Sequence, residues 1–303
     1  MSSTPLLNQA LDRYFAGYGD TLRLLEEFRQ SRTHSQEFVL LACARLDALS
    51  NMAIAGESQR KNFSSFLMTY SGLGKQVLRV SVPDLYYYFQ HYCWIVHANV
   101  PLPGRVLLFR EKDRDFAQLI YDSGIAVTDT HVKDLLLSIL RKLKHKYRVS
   151  PRQNVRKSCT ATPDELVKLI AEIVPNTFNT ESNRIENSIR NIVSNYSIGT
   201  LLYRRYRSGV IHEGAVDLDS RQFFTGADLY WGTEGVHTHR FLKIQFPAQF
   251  LLELLQHSLS TYKQELSRAR KLPFGIWIGA GLDEAFLDTR SIFAETVARL
   301  TVR

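Results

Sequence analysis

The chain has 303 residues, 45% of them hydrophobic and 22% charged, with a formal net charge of +8. That length holds one large domain or two ordinary ones, and the composition is that of a soluble globular protein with ample core material. It excludes a membrane-spanning helix, because no stretch approaches the ~20 consecutive apolar residues that crossing a bilayer requires. The excess of cations favours polyanionic partners. Cys43, Cys93 and Cys159 lie far apart and form no Cys-x-x-Cys pair. They suit a reducing compartment and argue against a structural zinc site. The opening Met1-Ser-Ser-Thr-Pro carries no charged segment followed by an apolar run, so cytoplasmic residence is expected.

Along the first seventy residues the apolar spacing is helical. Leu6, Leu11, Tyr14 and Phe15, then Leu22, Leu24, Leu25 and Phe28, predict two helical stretches interrupted near Gly17–Asp20. Ser35 is placed to cap the next helix, with Phe38, Leu41, Ala42, Leu46 and Leu49 as its buried stripe. Arg45 and Asp47 fall on other faces and read as surface charge. Gly56 ends that segment, and Ser58–Tyr70 is a third helix.

Gly72 and Gly74 break the pattern. Val77–Val82 is a short strand or an extended link before Pro83, and Asp84–Val96 is an aromatic-rich helix. Its Tyr86, Tyr87, Tyr88, Phe89, Tyr92 and Trp94 are dense enough to stack bases, although aromatics at helical spacing are more often core. Pro101, Pro103 and Gly104 mark a loop, Val106–Phe109 is a brief apolar run, and Asp113–Asp122 is a further helix. Asp129–Tyr147 is helical with Val132, Leu135, Leu136, Ile139, Leu140 and Leu143 inward. Its far end turns basic. From Arg141 to Lys157 stand eight cations and no acid: Arg141, Lys142, Lys144, Lys146, Arg148, Arg152, Arg156 and Lys157. A solvated face normally mixes signs, so this run is read as an anionic-ligand surface giving sequence-blind attraction to phosphates. A linker is the ordinary alternative.

Thr162-Pro163-Asp164-Glu165 announces a helix start running to about Val174. Another helix from about Glu181 carries Ile185, Ile189, Ile192 and Val193 and continues or restarts at Ile198. After Gly214 the texture alternates and predicts a β-hairpin, Gln222–Trp231 with Thr238–Phe246. His237 and His239 share one strand face there but have no third ligand nearby, so no metal is assigned. Pro247 opens an amphipathic helix lined by Phe250, Leu251, Leu254, Leu255, Ser258, Leu259 and Tyr262. Gly275, Gly279 and Gly281 lack the context of a phosphate loop, so no nucleotide or other cofactor is assigned.

The most informative stretch is Leu201–Gly214. Arg207 and His212 stand five apart behind Ile198, Leu201, Leu202 and Tyr206 at helical spacing, with Val210 and Ile211 between them. A second pair with that spacing, Arg29 and His34, lies among capping and helix-breaking residues. A histidine moves protons near neutral pH, and a guanidinium forks onto a phosphate that gains charge in a transition state. The ordinary alternative makes His212 a helix-end cap and Arg207 a solvated charge.

This local pattern resembles the HEPN superfamily, helical proteins that include many metal-independent RNases. Arg207, Ser208, Val210-Ile211 and His212 fill the places of its signature, with Ser208 where Asn, Asp or His is more usual. The resemblance implies a mainly α fold: one helical bundle over 1–303 with an aromatic and basic insertion at 74–157 and a β-hairpin insertion at 216–247. It implies an endoribonuclease in which His212 is general acid or base, Arg207 stabilises the phosphorane-like charge and Ser208 orients the phosphate. Arg204 and Arg205 join the basic run as RNA contacts. On a straight α-helix residues five apart lie about 140° from each other around the axis, so either Gly209 distorts the backbone or a second copy completes the site. HEPN nucleases resemble the second picture, and a homodimer is therefore expected. The same resemblance implies a place in defence or toxin–antitoxin systems, with an antitoxin or regulatory protein as partner. The alternative is a non-catalytic helical module that binds RNA, a nucleotide or a protein.

Overall fold

The computed structural model describes residues 4–54, 59–97, 114–124, 129–149, 159–174, 182–206, 220–226, 228–234 and 241–269. The fold is mainly helical with a small antiparallel hairpin. No described helix is long and apolar enough to cross a membrane. The chain divides into two compact units. One draws on Met1–Gly74, Tyr203–Ala227 and Ala248–Arg303, the other on Lys75–Leu202 and Asp228–Pro247.

The first unit contains α1 (Thr4–Ser31), α2 (Ser35–Ala53), α3 (Gln59–Tyr70), α10 (Ser220–Thr225) and α11 (Ala248–Ala269). Contrary to expectation, α1 is continuous through Gly17–Asp20. A glycine inside a helix costs about 1 kcal/mol relative to alanine, and the length of apolar face that α1 presents outweighs it. Leu11, Phe15, Tyr18 and Leu25 are all buried along that face. Ser35 is not a cap. It is the first residue of α2, and the capping position is held by His34 in a left-handed conformation, φ 58°, with no side-chain capping bond. Phe15, Phe66 and Tyr70 surround the Tyr262 ring of α11, at centroid distances of 6.3, 6.2 and 5.2 Å. Phe38 of α2 meets Phe223 of α10 edge-on at 5.6 Å.

Those last contacts explain a second correction. Residues 222–225, expected at the start of the hairpin's first strand, belong instead to the helix Ser220–Thr225. Two adjacent phenylalanines, Phe223 and Phe224, are both buried and both reach Phe38. A strand would send neighbouring side chains to opposite faces.

In the second unit a 3-10 turn over Gly74–Leu78 leads to β1 (Val80–Ser81) and then α4 (Val82–His97). Then come α5 (Arg114–Ser123), α6 (Asp129–Tyr147), β2 (Thr160–Ala161), α7 (Pro163–Ala171), α8 (Ser182–Ser194) and α9 (Ile198–Leu201). The hairpin is β3 (Tyr230–Glu234) with β4 (Phe241–Gln245), in antiparallel register Trp231↔Ile244. β1 pairs antiparallel with β2, Val80 opposite Ala161. Leu85, Phe89, Leu136, Ile139, Leu143, Leu166, Ile189 and Val193 form one continuous core. The aromatics of α4 mostly serve it: Phe89 and Tyr92 are buried, and Tyr92 stacks on Phe116 at 4.5 Å and 14°.

A polar network fastens the hairpin to α4. Trp231 Nε1 donates to Ser81 Oγ at 2.8 Å, Ser81 donates to Asp84, and the Ile244 amide donates to the same Asp84 oxygen at 3.0 Å. Both Ser81 and Asp84 are buried, so each hydrogen bond offsets a desolvation cost that an apolar neighbour would leave standing.

Candidate functional site

The basic end of α6 forms as the apolar spacing demands. Ile139, Leu140 and Leu143 point into the core, which sends Arg141, Lys142, Lys144 and Lys146 outward; all four are exposed, as is Arg148 just beyond the helix. Arg148 holds a left-handed backbone, φ 51°. Lys146 lies over the Tyr147 ring, its ammonium 5.4 Å from the centroid. Cations also suit the negative end of a helix, so part of this charge stabilises α6 itself.

In three dimensions this end is not of one sign. Thr162 caps α7 with a full capping box and Pro163 follows, as the sequence predicts. The Glu165 carboxylate accepts from the Thr162 amide at 2.9 Å and from its hydroxyl at 3.0 Å. Those bonds hold its pKa below the usual carboxylate range, and the charges of Lys146 and Arg79 push the same way. Arg79 was not singled out by its sequence context. Its guanidinium donates to Thr160 Oγ1 and to the Thr160 carbonyl, both at 2.9 Å. Contacts across eighty-one residues place it, and no local pattern carries that signal.

The run-up to the Arg–His motif is described as far as Tyr206. Ser197 caps α9, its hydroxyl accepting from the Thr200 amide at 3.3 Å. Residues 202–206 continue as a π-helical turn, with bonds five residues apart and more residues per turn than an α-helix; such turns are common at functional sites. Tyr203 and Tyr206 are buried, at 9% and 2% exposure. Between them Arg204 is exposed and Arg205 half-buried. Tyr203 is held from α3: its ring lies 5.5 Å from that of Phe63, and its hydroxyl donates to Gln59 Oε1 at 3.3 Å.

Arg207, Ser208 and His212 lie outside the described residues, as do Arg152, Arg156 and Lys157 of the basic run. The same holds for Val106–Phe109, His237, His239 and the glycines from Gly275 onward. The basic end of α6 and the Arg204–Arg205 pair belong to different units.

The second Arg–His pair is described and reads as structure. The Arg29 guanidinium forks onto both oxygens of Glu26, holding that carboxyl down to about 2. The His34 ring packs on Phe28 at 5.0 Å. Arg45, expected as plain surface charge, donates to Thr21 Oγ1 at 3.0 Å and covers the Tyr18 ring at 4.9 Å. Among the described residues no three His, Cys, Asp or Glu side chains converge as a metal site would need. Cys43, Cys93 and Cys159 are buried free thiols, and burial pushes Cys43 up to about 12 and Cys159 up to about 11. Such thiols are poor nucleophiles at neutral pH.

No family model, no curated protein and no solved structure matches this chain.

Proposed function

We propose that this protein is a metal-independent endoribonuclease whose active site is built on Arg207 and His212, as its resemblance to HEPN nucleases implies. The observation that carries the reading is the position of that pair. It follows directly on a turn anchored by Tyr203 and Tyr206 and wound more widely than an α-helix. An α-helix would hold residues five apart about 140° from each other, so a shared target for Arg207 and His212 calls for a departure from α winding or for a second copy of the chain.

In the proposed reaction His212 removes the proton of a ribose 2′-hydroxyl, or delivers one to the leaving 5′-oxygen. The 2′-oxygen bonds to phosphorus, the bond to the 5′-oxygen breaks, and that oxygen leaves as a hydroxyl. The products are a 2′,3′-cyclic phosphate and a 5′-hydroxyl. Arg207 stabilises the charge that accumulates on the phosphoryl oxygens, and Ser208 orients them. A second copy supplying its own Arg207 and His212 gives one group for each proton transfer, which is the reason to expect a homodimer. The exposed cations of α6 and Arg204 draw RNA in through its phosphates. A cytoplasmic place in a defence or toxin–antitoxin system, with a restraining protein partner, belongs to the same reading.

An RNA carrying a single 2′-deoxyribose tests the chemistry. Cleavage at every sensitive linkage except the one following the deoxyribose is the expected result. Cleavage at the deoxy position would rule out attack by the 2′-oxygen. The runner-up, a non-catalytic RNA-binding module, is favoured by the exposed end of α6 alone and predicts intact RNA throughout.

A further inference from the structure

We infer that the basic end of α6 is a docking surface for paired RNA, with Arg141 on its crown and Lys142 and Lys144 on opposite flanks. Each flank meets one of the two phosphate backbones that border a groove. The inference rests on the RNA reading given above for its ligand, but on separate observations for its geometry. Ile139, Leu140 and Leu143 are buried and fix the inward side of the helix. Successive residues step about 100° around the axis, so Arg141 lies almost opposite that side. Lys142 falls about 100° from it one way and Lys144 about 60° the other way. All three are exposed, as is Arg148 just past the helix.

These cations are not answered within the protein. Lys146 lies near Glu165 and over the Tyr147 ring. Among the described residues, by contrast, no acceptor, carboxylate or ring holds Arg141, Lys142, Lys144 or Arg148. The sequence has no acid between Asp134 and Asp164. The negative end of the helix dipole amounts to roughly half an elementary charge, far less than these four cations bring to it.

Composition and geometry choose among polyanions. Protein interfaces centre on apolar or aromatic anchors, and at this end Leu140 and Leu143 are buried. Sites for single strands stack bases on aromatic rings. Tyr147 is the one Phe, Tyr or Trp between Val132 and Ala161, and the Lys146 ammonium covers its ring at 5.4 Å. Paired RNA needs neither anchor nor ring, because its bases already stack on one another and it is recognised mostly by shape and backbone contacts. Lys142 and Lys144 lie about 160° apart around the axis. One strand lying along the helix is within reach of one flank, whereas two backbones straddling the helix engage both.

The test measures binding across a salt series in the full-length His212→Ala protein, which should not cut its ligand. One fluorescein-labelled probe is a blunt RNA duplex, the other a uridine homopolymer with the same number of phosphates. For Lys142→Gln with Lys144→Gln, the log Kd against log salt slope on the duplex should be shallower by about 1.8, at about 0.9 counterion per duplex contact. On the homopolymer, where one flank is engaged, it should be shallower by about 0.7. Lys142→Arg with Lys144→Arg should keep both slopes. Arg23→Gln, an exposed arginine paired with Asp20, should leave both unchanged. Equal flattening on the two probes, no flattening on the duplex, or a His212→Ala protein that fails to bind the duplex would overturn the inference. So would tighter binding to phosphatidylserine vesicles than to the duplex, which would assign the surface to a membrane. The catalytic reading is judged separately. If the wild type leaves RNA intact while the duplex slope still falls as stated, the docking surface stands and the nuclease assignment alone is lost. If the wild type cuts RNA while the double variant keeps its duplex slope, the docking surface alone is lost.

Discussion

The two cationic regions of this molecule are built in opposite ways. At the end of α6, charge is local: Arg141, Lys142, Lys144 and Lys146 share two turns of one helix, and Arg148 follows. Around the Tyr203–Tyr206 turn, charge is assembled. Two buried tyrosines set the direction of two arginines, and a hydrogen bond to Gln59 adds the start of α3 from 144 residues away. The first is partly answered by Glu165, whose carboxylate sits near Lys146 and Arg79. Charge density along a chain and charge density on a surface are therefore different quantities, and a basic run in the sequence overstates the potential that it creates.

The largest effect expected from this difference is on salt dependence. Neutralising Arg141, Lys142, Lys144 and Lys146 together to glutamine should flatten the RNA-binding slope by at most about 2.8, at about 0.7 per contact. Because Glu165 already balances part of that charge, the measured flattening should fall short of the ceiling. A full 2.8 would mean that Glu165 balances none of it.

A second effect concerns the first unit under alkali. In the first unit, burial pushes the Tyr18 phenol up to about 12, with the neighbouring Tyr14 adding to the rise. Burial and a hydrogen bond to Glu265 do the same for Tyr70, and Tyr262 is raised as well. An unfolded phenol ionises near 10. These groups therefore stabilise the fold fully below pH 10, and that contribution drains away as pH rises from about 10 to about 12. Tyrosinate absorbance and far-ultraviolet circular dichroism, followed together, should show late phenols ionising as helix is lost. Complete ionisation near pH 10 with the helices intact would contradict the burial of this cluster.

The smallest effect concerns α7. Thr162→Ala removes the capping box and should cost about 1 kcal/mol in urea denaturation. It also removes the Thr162 hydroxyl, one of the donors to Glu165, and leaves the amide in place, so RNA binding at α6 should change only slightly. Unchanged stability would contradict the capping role of Thr162.

Much of the fold was readable where local chemistry and core demand agree. Helix α6 spans Asp129–Tyr147 as its periodicity predicts, and Thr162 caps α7 as its motif does. Reading failed where a distant contact decided the matter. Gly17 and Gly19 looked like a break, but the buried face of α1 carries the helix across them. Phe223 and Phe224 looked like strand residues until Phe38 needed both. The candidate site divides the same way: Arg204, Arg205 and the α6 cations were visible as charge, whereas Arg79 acquires its place only through its contact with Thr160.

The claim that this protein cuts RNA with Arg207 and His212 is tested most directly by incubating end-labelled single-stranded and structured RNAs in EDTA with wild type, Arg207→Ala and His212→Ala proteins. The account predicts cleavage by wild type alone, cyclic-phosphate ends on its products, and a loss on the order of 10²-fold or more in each variant. A His212→Ala protein that cleaves as well as wild type would contradict it.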